Sequence, residues 1–212
     1  MSLPIIDILI LAVVLALSIG FHEFAHARAS NKLGDPTPKL QGRLTPNPLA
    51  HLDPLGFLLI FIIHFGRGKP VQINPQYYKK PRWGEFLVAM AGPASNIILM
   101  IVGIVFLALY SKWIPGLSNV QTLFTQFWTQ RIYLNAGLAV FNLIPIPPLD
   151  GWKLIKLVVG DIAAKRERYL GTNPLILIAL FVIIGQTGVF RFVGYGAQRL
   201  VQLLSNIINR LL

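Results

Sequence analysis

The chain contains no cysteine, which removes disulfides, thiol nucleophiles and thiolate metal ligands from consideration. Charge is scarce too: 13% of the 212 residues are Asp, Glu, Lys or Arg, roughly half of the ~25% usual in soluble domains. Acids are scarcest, with Asp7, Glu23, Asp35, Asp53, Glu85, Asp150, Asp161 and Glu167 set against 19 Lys and Arg, for a net charge of +11. Such a surplus can mark a nucleic-acid binder, but in an apolar chain basic loops are first of all topology signals. No nucleic-acid partner is therefore expected. Apolar residues are abundant: 54% are hydrophobic and the mean hydropathy is +0.62, with runs long enough to cross a bilayer. The expected class is an all-α polytopic membrane protein forming one integral membrane domain over residues 1–212.

The first apolar run, Leu3 to Phe21, leads without a break into His22. It lacks the basic leader and small-residue cleavage site of a signal peptide, so a retained span over 4–33 is expected. The run at 52–65 is short for a crossing, while 84–110 is long enough to span with tilt. Further spans are expected over 131–151, ending in Pro145, Pro147 and Pro148, and over 174–193. Residues 196–212 place Leu and Ile at helical spacing, as an amphipathic tail on or against the membrane would. The region 34–83 is read as a re-entrant segment with a short β-hairpin, because Val71-Gln72-Ile73-Asn74 alternates as a strand does. Charge sets the topology. Loops 28–50, 67–82 and 152–168 carry fourteen of the 19 cations, and they share one side only if 52–65 dips in and returns. That gives four transmembrane helices (five if 52–65 crosses) with the N-terminus outside.

Phe21-His22-Glu23-Phe24-Ala25-His26 contains H-E-x-x-H. On a helix the two imidazoles lie on one face and can share one Zn²⁺, while the adjacent Glu23 can move the proton of an attacking water. For this composition the pattern is expected by chance roughly 0.003 times. Titratable groups at the end of an apolar span are costly and tend to be functional. Catalytic zinc commonly takes three protein ligands, and without cysteine the third must be His, Asp or Glu. Asp150, in Asn142-Leu143-Ile144-Pro145-Ile146-Pro147-Pro148-Leu149-Asp150-Gly151, lies at the end of another apolar span. Spans starting near Pro4 and Arg131 would bring His22 and Asp150 to similar depth, about 27–28 Å along each helix.

Four features together resemble the site-2 protease family (M50) of intramembrane zinc metalloproteases. They are HEFAH at the end of an early span, Ala91-Gly92-Pro93-Ala94-Ser95-Asn96 in a middle span, N-x-x-P-x-x-x-L-D-G in a later one, and the three-span core these imply. His51-Leu52-Asp53-Pro54-Leu55-Gly56 and Pro70-Val71-Gln72-Ile73-Asn74-Pro75 are similar to the compact prokaryotic branch, whose members are multi-pass proteins of the cell membrane. The resemblance implies a zinc metalloendopeptidase with one Zn²⁺ held by His22, His26 and Asp150, and with Glu23 as the catalytic residue. It implies substrates that are single membrane-spanning segments, received as an extended strand by the segment before the middle span. Larger members carry an inserted PDZ-like module that this sequence lacks.

Asn142 is a candidate substrate-binding residue, through a hydrogen bond to the substrate backbone or the scissile carbonyl. Gly92, Pro93 and Asn96 are expected to serve close helix packing and a kink. His51 and His64 have no ligand spacing to another His, and His51-Leu52-Asp53-Pro54 reads best as a cap and turn. Lys165-Arg166-Glu167-Arg168 reads as a topology and headgroup contact. The alternative function is a non-proteolytic membrane scaffold or pseudoprotease that binds transmembrane segments. A transporter would require paired discontinuous spans, and only one interrupted span is found.

Overall fold

A computed structural model describes residues 5–53, 69–113, 119–171 and 186–211. Helix dominates: α1 (Ile5–Lys32), α2 (Thr37–Leu40), α3 (Pro81–Trp113), α4 (Asn119–Asn142), α5 (Trp152–Val159), α6 (Asp161–Gly171) and α7 (Val189–Leu211), with short 3₁₀ turns at Pro48–Ala50 and Pro75–Tyr77. Among the described residues two helices, α1 and α3, are long and apolar enough to cross a membrane. At 28 and 33 residues they extend about 42 and 50 Å. Their outward faces expose Ile5, Ile8, Leu9 and Val13 on α1 and Ile98, Val102 and Phe106 on α3, as lipid-facing surfaces do. No sheet is present among the described residues, and the runs expected at 52–65 and 174–193 lie largely outside them.

The helix ends are written in local chemistry. Asp7 in the first turn of α1 and Lys32 in the last complement the helix dipole. The helix stops at a left-handed Gly34 (φ +104°), where Asp35 N–H donates to Ser30 O and Gly34 N–H to Asn31 O. That pair of bonds is a Schellman motif. Pro81 opens α3, where its missing N–H costs nothing.

α3 packs against both α1 and α4, and α7 against α4. The apolar core joins Met100 and Ile104 of α3, Ile132 and Ala136 of α4, and Ala197 and Val201 of α7, with Leu200, Leu204 and Ile208 packed on it. The amphipathic tail therefore uses its apolar face to complete the bundle. Helix α4 begins at Asn119 rather than near Arg131, because its first turns are rich in Thr and Gln and carry no hydropathy signal. At that end the Gln126 amide donates to Asp7, tying α4 to α1.

Beyond α1, the chain is locked by one carboxylate. Asp35 is fully buried and accepts from Ser30 Oγ at 2.8 Å, Thr37 N at 2.9 Å and Asn74 N at 2.7 Å. Ser30 Oγ also meets Tyr78 Oη at 2.7 Å. Burial alone would raise the Asp35 pKa, but the donors from Thr37, Asn74 and Ser30 hold it below the ordinary carboxylate value. A depressed folded-state pKa contributes stability above the unfolded value and loses it as pH falls through the folded one. Asp35→Asn should therefore lower stability by about 1–3 kcal/mol near neutral pH. Thermal unfolding in detergent should show that difference steady between about pH 6 and 8 and shrinking below about pH 4.

Candidate metal centre

Helical spacing on α1 brings the His22 and His26 rings together, with Nε2 atoms 3.0 Å apart. Asp150 reaches them from the turn that follows α4, placing Oδ2 3.2 Å from His22 Nε2 and 3.4 Å from His26 Nε2. Among the described residues these three form the cluster able to hold a metal ion, their ligand atoms all within 4.8 Å of one another.

The arrangement fits a zinc ion on three counts. Two ligands 2.0–2.1 Å from a tetrahedral zinc lie about 3.3 Å from each other, close to the three separations found. Each imidazole has its other nitrogen engaged: His22 Nδ1 with Asn96 Oδ1 at 2.7 Å and His26 Nδ1 with Val88 O at 2.7 Å. A ring that donates from Nδ1 presents a lone pair at Nε2, the tautomer a metal requires. Lastly, Asp150 Oδ2 is buried without a hydrogen-bond donor, and a buried carboxylate oxygen facing two imidazole lone pairs calls for a cation.

Backbone shape makes the cradle. A Cβ on Gly92 of α3 would lie 2.5 Å from His22 Cε1, His26 Cε1 and His26 Nε2, so only glycine lets both rings lie against this helix. Gly151 has the same role behind Asp150, since a Cβ there would sit 2.3 Å from Leu143 O. The loop between α4 and α5 is closed by Gly151 N–H donating to Asn142 O at 2.6 Å. Beyond it, Glu85 of α3, Lys153 and Lys156 of α5, and Glu167 of α6 alternate in a ring of ion pairs. The ring pins the exit from Asp150 to the part of α3 whose Val88 carbonyl orients His26.

Of the remaining sequence candidates, Glu23 stands next to the cluster on α1. Its Oε2 accepts from Val71 N at 3.1 Å, so the segment predicted as a strand instead runs beside the Glu23 carboxylate. That segment is also fastened by Lys69 N–H to His51 O and by Asn74 N–H to Asp35. Asn142 Nδ2 donates to Leu138 O at 3.0 Å, within its own helix. His51 is fully buried with Nε2 against Thr45 O, in keeping with a turn role, and His64 lies outside the described residues. Asn96 does more than pack, because it holds His22. Glu167 belongs to the ion-pair ring rather than to a headgroup contact. Asn135, to which no sequence motif points, is fully buried and donates its amide hydrogens to Ser18 and Arg131 O. A lone carboxamide inside the apolar stretch 132–141 is the signal that could have found it. Gly92→Ala should weaken zinc binding by about 10–100-fold, read by chelator competition, with the chain still folded.

Residues 10–132 and 114–186 match Peptidase family M50. The chain is 38% identical over 205 residues to YwhC of Bacillus subtilis, named as a zinc metalloprotease, covering 95% of this chain and 94% of that protein. It is 31% identical over 146 residues to Rip2 of Mycolicibacterium smegmatis, named likewise, covering 64% of this chain and 52% of Rip2. Zinc metalloprotease MJ0392 of Methanocaldococcus jannaschii is 23% identical over 199 residues, 90% of this chain and 49% of its own length. No solved structure matches the chain. With most of its length matched by the family and nearly all of it by a relative of the same size, this chain belongs to peptidase family M50 and is a membrane-embedded zinc metalloprotease.

Proposed function

We propose that this protein is an intramembrane endopeptidase that hydrolyses peptide bonds of single-span membrane substrates, with His22, His26 and Asp150 as zinc ligands and Glu23 as the catalytic residue. The observation that carries the reading is the convergence of the three ligand atoms at the end of α1, a helix apolar enough to span a bilayer. Helical substrates hide their amides in internal hydrogen bonds, so local unwinding precedes attack. Bound zinc would supply Lewis acidity, making water nucleophilic near neutral pH and polarising a carbonyl.

The protein's own groups do the rest. Asn96 and Val88 hold the two imidazoles with Nε2 directed at the shared centre. Glu23 takes a proton from the attacking water as the new C–O bond forms, and returns it to the amide nitrogen as the C–N bond breaks. The Val71 N–H fixes one oxygen of that carboxylate, so the other is the one available to the water. Asn142 is the candidate for contacting the substrate backbone, using the donor and acceptor capacity its single bond to Leu138 O leaves over.

In this reading the chain is a multi-pass protein of a prokaryotic plasma membrane, with four spans, a re-entrant segment at 52–65, and the N-terminus outside. The fourteen cations of loops 28–50, 67–82 and 152–168 support that orientation. Unwound substrate would lie beside 71–74 as an extended strand, gaining main-chain hydrogen bonds without demanding a sequence. Glu23→Gln should keep about one zinc per chain and an unchanged unfolding temperature while slowing cleavage of a single-span substrate by at least about 10²-fold. Cleavage at the wild-type rate by that variant would end the assignment.

A further inference from the structure

We propose that Asn135, which touches none of the three ligand atoms, is a positioning residue that sets the tautomer of His22 by fixing the amide orientation of Asn96. The inference rests on the zinc-site reading and goes beyond it.

Each hydrogen bond in the chain dictates the direction of the next. A backbone carbonyl can only accept, so the Asn135 group 2.8 Å from Arg131 O must be the NH₂ end of its amide. The same nitrogen lies 2.9 Å from Ser18 Oγ, and Ser18 has spent its hydrogen on Val14 O at 2.8 Å, so its oxygen accepts. Two backbone carbonyls thereby determine which way the Asn135 amide faces. Its Oδ1 is left toward Asn96, and an acceptor there requires the Asn96 NH₂, found 2.8 Å away. Asn96 Oδ1 must then face His22 Nδ1 at 2.7 Å, which places the ring hydrogen on Nδ1 and the lone pair on Nε2.

All of these polar side chains are buried: Asn96 and Asn135 are fully enclosed and Ser18 is 1% exposed. Water is therefore not at hand to replace a misdirected partner. Without Asn135, the Asn96 amide is free to turn over and offer its NH₂ to Nδ1. His22 would then accept there and carry its hydrogen on Nε2, the atom that must bind zinc. His26 needs no such chain, because Val88 O meets its Nδ1 directly.

A variant cycle tests this by chelator competition for zinc on the full-length protein in detergent. Asn135→Ala should raise the zinc dissociation constant by about 10–100-fold. Ser18→Ala, which leaves the Arg131 carbonyl in place, should stay near wild type. Asn96→Asp supplies an acceptor whichever way it turns, so adding Asn135→Ala to Asn96→Asp should bring no further loss of zinc affinity. Side-chain ¹⁵N spectra of His22 in zinc-free protein should show hydrogen on Nδ1 in wild type and a mixture of tautomers in Asn135→Ala. An equal loss from Asn135→Ala in both backgrounds, or an unchanged His22 tautomer, would overturn the proposal by showing that Asn135 acts through packing. Absence of zinc from the wild-type protein would instead overturn the metal-site reading itself. If Asn135→Ala does not fold, the similarly sized Asn135→Leu, which fills the space without an amide, takes its place in the same measurements.

Discussion

Two imidazole nitrogens and a carboxylate oxygen converge where α1 meets the turn after α4, an arrangement that a cation between them would stabilise. They lie within 3.4 Å of one another, and with neither a proton nor a cation between them they would repel in a place where water cannot screen them well. Each group is nevertheless held in position from behind: His22 by Asn96, His26 by the Val88 carbonyl, and Asp150 by a loop closed at Asn142 and Gly151. Rigid support for an arrangement that is unfavourable when empty is the mark of a preorganised metal site. It also couples metal binding to the packing of helices far apart in the chain.

That constraint explains where polar residues and glycine occur in an otherwise apolar bundle. Helices in a membrane gain little from burying apolar side chains against one another, so close approach and internal hydrogen bonds carry more of the specificity. The Ser18, Asn135 and Asn96 bonds run across α1, α4 and α3 to His22 and leave no amide hydrogen of Asn135 idle. The apolar cluster of Met100, Ile104, Ile132 and Ala136 fixes the packing of α3 on α4 further along, and α7 covers one side of it.

The sequence showed the chemistry more clearly than the architecture that supports it. The meeting of His22 with His26 was legible because an i, i+4 pair means the same thing on any helix, and that of Asp150 with them because a lone carboxylate at the end of an apolar run needs a partner. Asn96 and Asn135 were not, since a carboxamide's role depends on the group it meets from another helix. Gly92 reads as a packing glycine until the two rings are seen against it. The start of α4 was hidden by its Thr and Gln residues, which suit a helix but contribute no hydropathy signal. Val71–Asn74 has the alternation of a strand, but the amides of Val71 and Asn74 go to the carboxylates of Glu23 and Asp35. Period-two patterning cannot foresee side chains as partners.

The proline cluster shows how an irregular stretch survives in such surroundings. Non-helical backbone in an apolar setting must have its donors satisfied within the protein. Between 143 and 151, the amides of Leu143, Ile144, Ile146, Leu149 and Gly151 all donate to carbonyls of the same loop or of the end of α4. Pro145, Pro147 and Pro148 have no amide hydrogen to satisfy, so at three positions the requirement does not arise. A helix continued through this stretch would have satisfied its amides too, but it would have carried Asp150 past the imidazoles instead of turning it toward them. Ending α4 at Asn142 and compressing the next nine residues into a self-bonded turn brings the carboxylate back to α1. The same turn leaves non-helical chain beside the metal centre, where water must enter for hydrolysis to occur.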